Sequence, residues 1–165
     1  MVVLDRPRHA QLLSEIRSAG ARVKLISDGD IAASIQAALP ETGVDVLMGI
    51  GGTPEGVLSA AAIHCIGGAL QCKGWPRDKK EREAAIADGV DLEKVYRTED
   101  LINSEDVFFA ATGVSSSELL KGVRYSSGGA QTQSLAMRSR SGTIRWIDAW
   151  HNFERLDKLS FVELH

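Results

Sequence analysis

The chain has 165 residues, enough to enclose a core of its own, and 44% of them are hydrophobic. Nineteen Lys and Arg against 22 Asp and Glu leave a formal charge of -3, so no basic surface calls for nucleic acid. No apolar stretch is long and clean enough to span a membrane, and the opening "MVVLDRPRHA" lacks the pattern of a secretory leader.

The first half repeats one pattern: an apolar run, a polar or glycine-containing turn, then an amphipathic stretch. "VVL" leads into "RPRHAQLLSEIRSAG", where Ala10, Leu13, Ile16 and Arg17 fall at helical spacing and Gly20 is placed to end the helix. "RVKLIS" leads through "DGD" into "IAASIQAAL", with Ile31, Ile35 and Leu39 repeating every four residues. "VDVLMGI" leads through "GGTPEG" into "VLSAAAIHCI", a helix apolar nearly all round and therefore expected to lie buried against a sheet. Three such units imply an α/β fold, a mainly parallel sheet flanked by helices, with the turns gathered at the carboxyl ends of the strands.

The second half is less regular. "ALQCKGW", "KVYRT" and "DVFFAATG" read as strands, and "PRDKKEREAAIADG" as an exposed charged helix closed by Gly89. Ser115 and Glu118 of "SSSELLKG" have the spacing of a capping box. From Arg124 onward, strands joined by "SSGG" and "SRSG" form a C-terminal antiparallel portion. No linker interrupts the chain, so residues 1–165 are expected to form one domain. Cys65 and Cys72 lie in apolar-rich segments without metal-ligand spacing or a secreted framework. Two reduced core thiols and a cytoplasmic setting follow.

The turns carry the chemistry. In "GIGGTPEG", Pro54 stands where a dinucleotide fingerprint needs its third glycine, and no Gly-Lys-Ser/Thr of a P-loop is present. A nucleotide-dependent oxidoreductase is therefore disfavoured. Pro54 suits the first turn of a helix, with Thr53 as its N-cap and Glu55 near the positive end of the helix dipole. Glu55 reads either as a complement to that dipole or as a metal ligand. Asp28 and Asp30 flank Gly29 as a tight turn with an N-cap, or as carboxylates accepting from sugar hydroxyls or binding a cation. Arg6 and Arg8 bracket Pro7 at the start of a helix, where positive charge opposes the dipole, and they make better sense as a fork for phosphate oxygens than as solvated surface. His9 and His64 read as packing or surface residues, since neither has a second ligand at metal spacing. Arginines, aspartates and glycines on three converging turns suit an anionic polyhydroxylated ligand. A glutamate beside its phosphate is tolerable when a divalent cation lies between them.

These motifs resemble the class II fructose-1,6-bisphosphatases and the related cyanobacterial enzymes acting on fructose and sedoheptulose bisphosphates. The resemblance is carried by "LDRPRH", "LISDGDIAASI", "MGIGGTPEGVLSAAAI", "DVFFAATGV" and "TQSLAMRSRSGTIRWI", in order over nearly the whole chain. It implies that Arg6, Pro7, Arg8, Asp28, Gly29, Asp30 and Gly52 bind a sugar bisphosphate and that Glu55 is a ligand of Mg²⁺ or Mn²⁺. It implies the layered fold of the lithium-sensitive sugar and inositol phosphatases, of which this chain corresponds to the C-terminal half. The implied chemistry is metal-assisted hydrolysis of the 1-phosphate, in gluconeogenesis or the Calvin cycle. Family members carry further metal ligands, including an Asp-Gly-Thr motif, in an N-terminal portion that has no counterpart among these residues. The chain by itself is therefore expected to have little activity, whether it is a fragment or a natural short protein. Self-association is expected, because a bare apolar interface rarely stays solvated. A non-catalytic sugar-phosphate-binding or regulatory domain is the alternative reading.

Overall fold

The computed structural model describes residues 1–156 and 158. The chain opens with strand β1 (Val2–Leu4), a 3₁₀ turn over Pro7–His9 and helix α1 (Ala10–Ser18). Strand β2 (Lys24–Ile26) leads into α2 (Asp30–Ala38), and β3 (Leu47–Met48) into α3 (Thr53–Ile66). The three strands form a parallel sheet in the order β2-β1-β3, with Val3 opposite Leu25 on one side and Met48 on the other. β1 is central, and all three of its residues are buried, which is why it reads as an unbroken apolar run. Because the strands are parallel, the turns after β1, β2 and β3 all emerge at one edge of the sheet.

The middle of the chain is a small antiparallel pair, β4 (Gln71–Cys72) and β5 (Tyr96–Arg97), with α4 (Lys79–Ala87) between them and α5 (Thr98–Leu101) after. The Asp78 side chain caps α4 by accepting from the Glu81 N–H at 2.8 Å, and no residue of that charged helix is buried. The third sheet contains β6 (Phe108–Thr112), β7 (Arg124–Ser126), β8 (Gly129–Arg138) and β9 (Thr143–Asn152), followed by α6 (Phe153–Leu156). β8 and β9 pair along their whole length, from Gly129 opposite Asn152 to Arg138 opposite Thr143. The other edge of β8 is shared, β6 pairing with Ser134–Arg138 and β7 with Gly129–Gln131.

The core lies between the helices and this antiparallel sheet. Ile35 of α2, Ala62 and Cys65 of α3, Leu120, and Leu135 and Met137 of β8 form one buried cluster. Phe109 and Ala111 of β6 stand opposite Met137 and Leu135, so they project to the same face and pack on the cluster. Burial raises the Cys65 thiol above its usual range. At the rim, the Arg138 guanidinium donates to both carboxylate oxygens of Asp106, at 2.8 and 2.6 Å, and lies over the Phe108 ring. That hydrogen bond holds the Asp106 carboxyl below its usual range.

The fold is mixed α/β as expected, but the balance differs. The parallel strands are two or three residues long, and the longest ladder belongs to the antiparallel hairpin. "SSSELLKG" is no helix: the Ser117 hydroxyl accepts from the Leu119 and Leu120 N–H groups and closes a local turn instead. Cys72 is exposed, because β4 is a short strand outside the core. α3 is buried along Ser59, Ala60, Ala62, Ile63 and Cys65, whereas Val57 and Leu58 remain open at its beginning. No helix among the described residues is long and apolar enough to cross a membrane.

Candidate functional site

The three turns at the carboxyl edge of the parallel sheet meet around the loop Gly49–Gly52. From the first turn, the Arg8 side chain reaches across 42 residues of sequence and donates from Nε and Nη2 to the Ile50 carbonyl, at 3.1 and 2.6 Å. A guanidinium presents its N–H groups as a planar fork, so two of them can converge on one oxygen while Nη1 stays available. The expected phosphate fork of Arg8 commits two of its five N–H groups to the loop and keeps the other three. The Arg6 side chain is exposed and donates from Nη1 to its neighbour, the Asp5 carbonyl, at 2.9 Å. Pro7 begins the 3₁₀ turn between the two arginines.

From the second turn comes Asp30. Gly29 adopts the left-handed conformation (φ 81°, ψ 41°), which glycine alone enters at no steric cost, and it is the N-cap of α2. Asp30 is thereby the first helical residue rather than the cap. Its Oδ1 accepts from the Ile31 N–H at 3.1 Å, and its Oδ2 lies 3.1 Å from the point a Cβ on Gly51 would occupy. Asp28 stays exposed in the turn, accepting from the Ser27 hydroxyl at 3.3 Å.

The third turn starts α3. Gly52, not Thr53, is its N-cap, and no side chain caps the helix. Among the described residues no acceptor meets the main-chain N–H groups of Gly51, Gly52 and Thr53. Unpaired amides at the positive end of a 14-residue helix make this the most anion-friendly spot on the loop. Glu55, half-buried in the first turn, folds its carboxylate back over Gly52, so closely that a Cβ at Gly52 would overlap Oε2. The glycine is what admits the carboxylate to the mouth of the helix.

Arg8, Asp30, Gly52 and Glu55 are thus brought onto one loop, while among the described residues no side-chain hydrogen bond ties Arg6 or Asp28 to it. Among the described residues no three His, Cys, Asp or Glu side chains gather to form a metal cage. One carboxylate at the mouth of an amide-lined loop does fit Mg²⁺, which keeps several waters and is commonly held by one or two carboxylates plus substrate phosphates. His9, read from the sequence as packing or surface, is fully buried and hydrogen-bonded to this loop. Its position directly after the RPR turn was the available signal, but only the fold shows what the ring faces. His64 is half-buried on α3, remote in sequence from the loop.

Residues 1–151 match the family model for bacterial fructose-1,6-bisphosphatase, glpX-encoded. The chain is 44% identical over 168 residues to a D-fructose 1,6-bisphosphatase class 2/sedoheptulose 1,7-bisphosphatase of Microcystis aeruginosa, covering 94% of this chain and 49% of that protein. Proteins of the same description from Trichodesmium erythraeum and a Synechococcus species are 46% and 43% identical, covering 93% and 92% of this chain and 48% and 47% of theirs. The chain therefore spans about half the length of the curated relatives it matches.

Proposed function

The chain belongs to the glpX-encoded bacterial fructose-1,6-bisphosphatase family, and from that premise we propose that it is the sugar-bisphosphate-binding half of a metal-dependent phosphatase. Residues 1–165 act in this reading as one folding unit. The substrate is fructose 1,6-bisphosphate, with sedoheptulose 1,7-bisphosphate as a second candidate, and the setting is cytoplasmic sugar-phosphate metabolism.

The observation that carries the proposal is the convergence of three turns on one loop: Arg8 bonded to Ile50, Asp30 against Gly51, and Glu55 over Gly52. The free amides of Gly51, Gly52 and Thr53 bind phosphate oxygens, aided by the α3 dipole. Arg6 and the remaining Nη1 of Arg8 neutralise phosphate charge from the neighbouring turn. Asp28 and Asp30 accept hydrogen bonds from sugar hydroxyls, which orients the ring, and Gly29 gives their turn its shape. Glu55 would hold Mg²⁺ or Mn²⁺, which when bound would supply Lewis-acid polarisation of the phosphoryl oxygens. Without that cation, the Glu55 carboxylate and the phosphate repel each other across the loop.

Calorimetric titration of the purified chain with fructose 1,6-bisphosphate, with and without Mn²⁺, tests this reading. Binding that tightens with the cation, with little release of inorganic phosphate by the chain alone, is expected. No binding in either condition refutes it. Binding with no release even after a separately expressed N-terminal half from a full-length relative is added favours the non-catalytic alternative.

A further inference from the structure

We propose that His9 is a positioning residue: its buried neutral ring ties the end of β1 to the glycine loop and sets the direction of the loop amides. This rests on the proposed anion site but concerns a residue outside it. The His9 side chain is completely buried, and both ring nitrogens are engaged. Nδ1 lies 2.7 Å from the Leu4 carbonyl, and the Ile50 N–H approaches Nε2 at 2.9 Å. A main-chain N–H only donates and a carbonyl only accepts, so the two partners select one tautomer. Nδ1 carries the hydrogen, and Nε2 is the acceptor.

The placement is informative. Parallel pairing between β1 and β3 ends at Val3 opposite Met48. Beyond that point the imidazole takes over, bridging the last residue of β1 and the second residue after β3. Arg8, the preceding residue, binds the Ile50 carbonyl. Consecutive side chains therefore hold both main-chain polar groups of Ile50, and both peptide planes flanking it are constrained just ahead of Gly51 and Gly52. Gly49 completes the arrangement: a Cβ there would lie 3.2 Å from His9 Cε1 and 3.4 Å from Nε2, so the ring sits where any side chain would crowd it. A generic core residue would need neither the tautomer nor the glycine. An anchor for a phosphate loop needs both.

Two substitutions separate the bonds. In His9→Asn the amide nitrogen keeps the Nδ1 position and the bond to Leu4, leaving the Ile50 N–H unpaired. In His9→Gln the longer side chain puts an acceptor at the Nε2 position and restores the Ile50 bond. The readouts are amide hydrogen exchange at Ile50 in the ligand-free chain, and titration with fructose 1,6-bisphosphate and with inorganic phosphate. For one lost neutral hydrogen bond, exchange at Ile50 should accelerate and both ligands bind roughly fivefold more weakly in His9→Asn. His9→Gln should recover most of the Ile50 protection and, with the Leu4 carbonyl left without its donor, only part of the binding. Unchanged exchange and unchanged binding in a folded His9→Asn chain would overturn the proposal, as would Ile50 exchange accelerated equally in the two variants. If the unsubstituted chain binds neither ligand, the proposed function fails, and the exchange of the Ile50 amide still decides for or against the anchor. Should His9→Asn not fold, Gly49→Ala crowds the ring from the loop side. It is expected to raise Ile50 exchange with His9 still in place, and protection equal to that of the unsubstituted chain would overturn the proposal.

Discussion

Gly52→Ala separates stability from function at the candidate site. The glycine backbone at this position (φ -75°, ψ 154°) is open to any residue, so alanine introduces no dihedral strain. Alanine caps a helix less well than glycine, which costs about 0.5–1 kcal/mol, but it also narrows the unfolded ensemble, which returns about 0.4–1 kcal/mol. The new Cβ overlaps only Glu55 Oε2, the far end of a side chain that can rotate toward solvent. The melting temperature is therefore expected to move by less than about 3 °C, given roughly 2–4 °C per kcal/mol for a chain of this size. The carboxylate, however, loses its place over the loop. Calorimetric titration with fructose 1,6-bisphosphate at fixed Mn²⁺ should show the cation-dependent gain in affinity reduced at least about tenfold, equivalent to about 1.4 kcal/mol. Glu55→Gln is the matching control and should lose the same gain. A Gly52→Ala chain with unaltered stability and an undiminished Mn²⁺ effect would refute the assignment of Glu55 as the metal carboxylate. A fall of more than about 10 °C would show that backbone, not the side chain, absorbs the overlap.

Leu135→Ala removes three carbons from a fully buried position between α3 and β6. Transfer alone forfeits about 2.4 kcal/mol, and the cavity left behind should bring the loss in urea unfolding to about 3–4 kcal/mol. The Arg138–Asp106 pair should make stability depend on pH in one direction. Asp106 titrates lower when folded, so its contribution is complete above the ordinary carboxyl value of about 4 and is lost as pH falls through the lower folded value. The difference in urea midpoint between the unsubstituted chain and Asp106→Asn should accordingly be full near pH 6 and shrink in strong acid. A thiol-specific reagent should label Cys72 in the native chain and Cys65 only after denaturation, since the one is exposed and the other buried. Trp146, Ile147 and Trp150 are exposed along β9, so sedimentation at increasing concentration should reveal self-association. A monomer throughout would refute that expectation.

Some of this molecule was legible in its residues alone. "VVL" is apolar at every position because β1 is covered on both faces, and the four-residue repeat of Ile31, Ile35 and Leu39 marks the core side of α2. The turns "RPR", "DGD" and "GGTPEG" announced their chemistry through local needs: a left-handed glycine at Gly29, a proline in the first turn of α3, acids at helix starts. Local preferences of that kind act within a few residues, so a sequence carries them whole. The size of the antiparallel sheet and the exposure of Cys72 depend on what packs on what, and short apolar stretches such as "ALQCKGW" look alike inside and outside a core. Tertiary structure alone decided that Arg8 spends two of its N–H groups on Ile50, and that His9 is a bridge between strand ends. The bonds of Arg8 and His9 to Ile50 join residues more than 40 positions apart, and a hydrogen bond over that separation leaves no periodicity for a sequence to display.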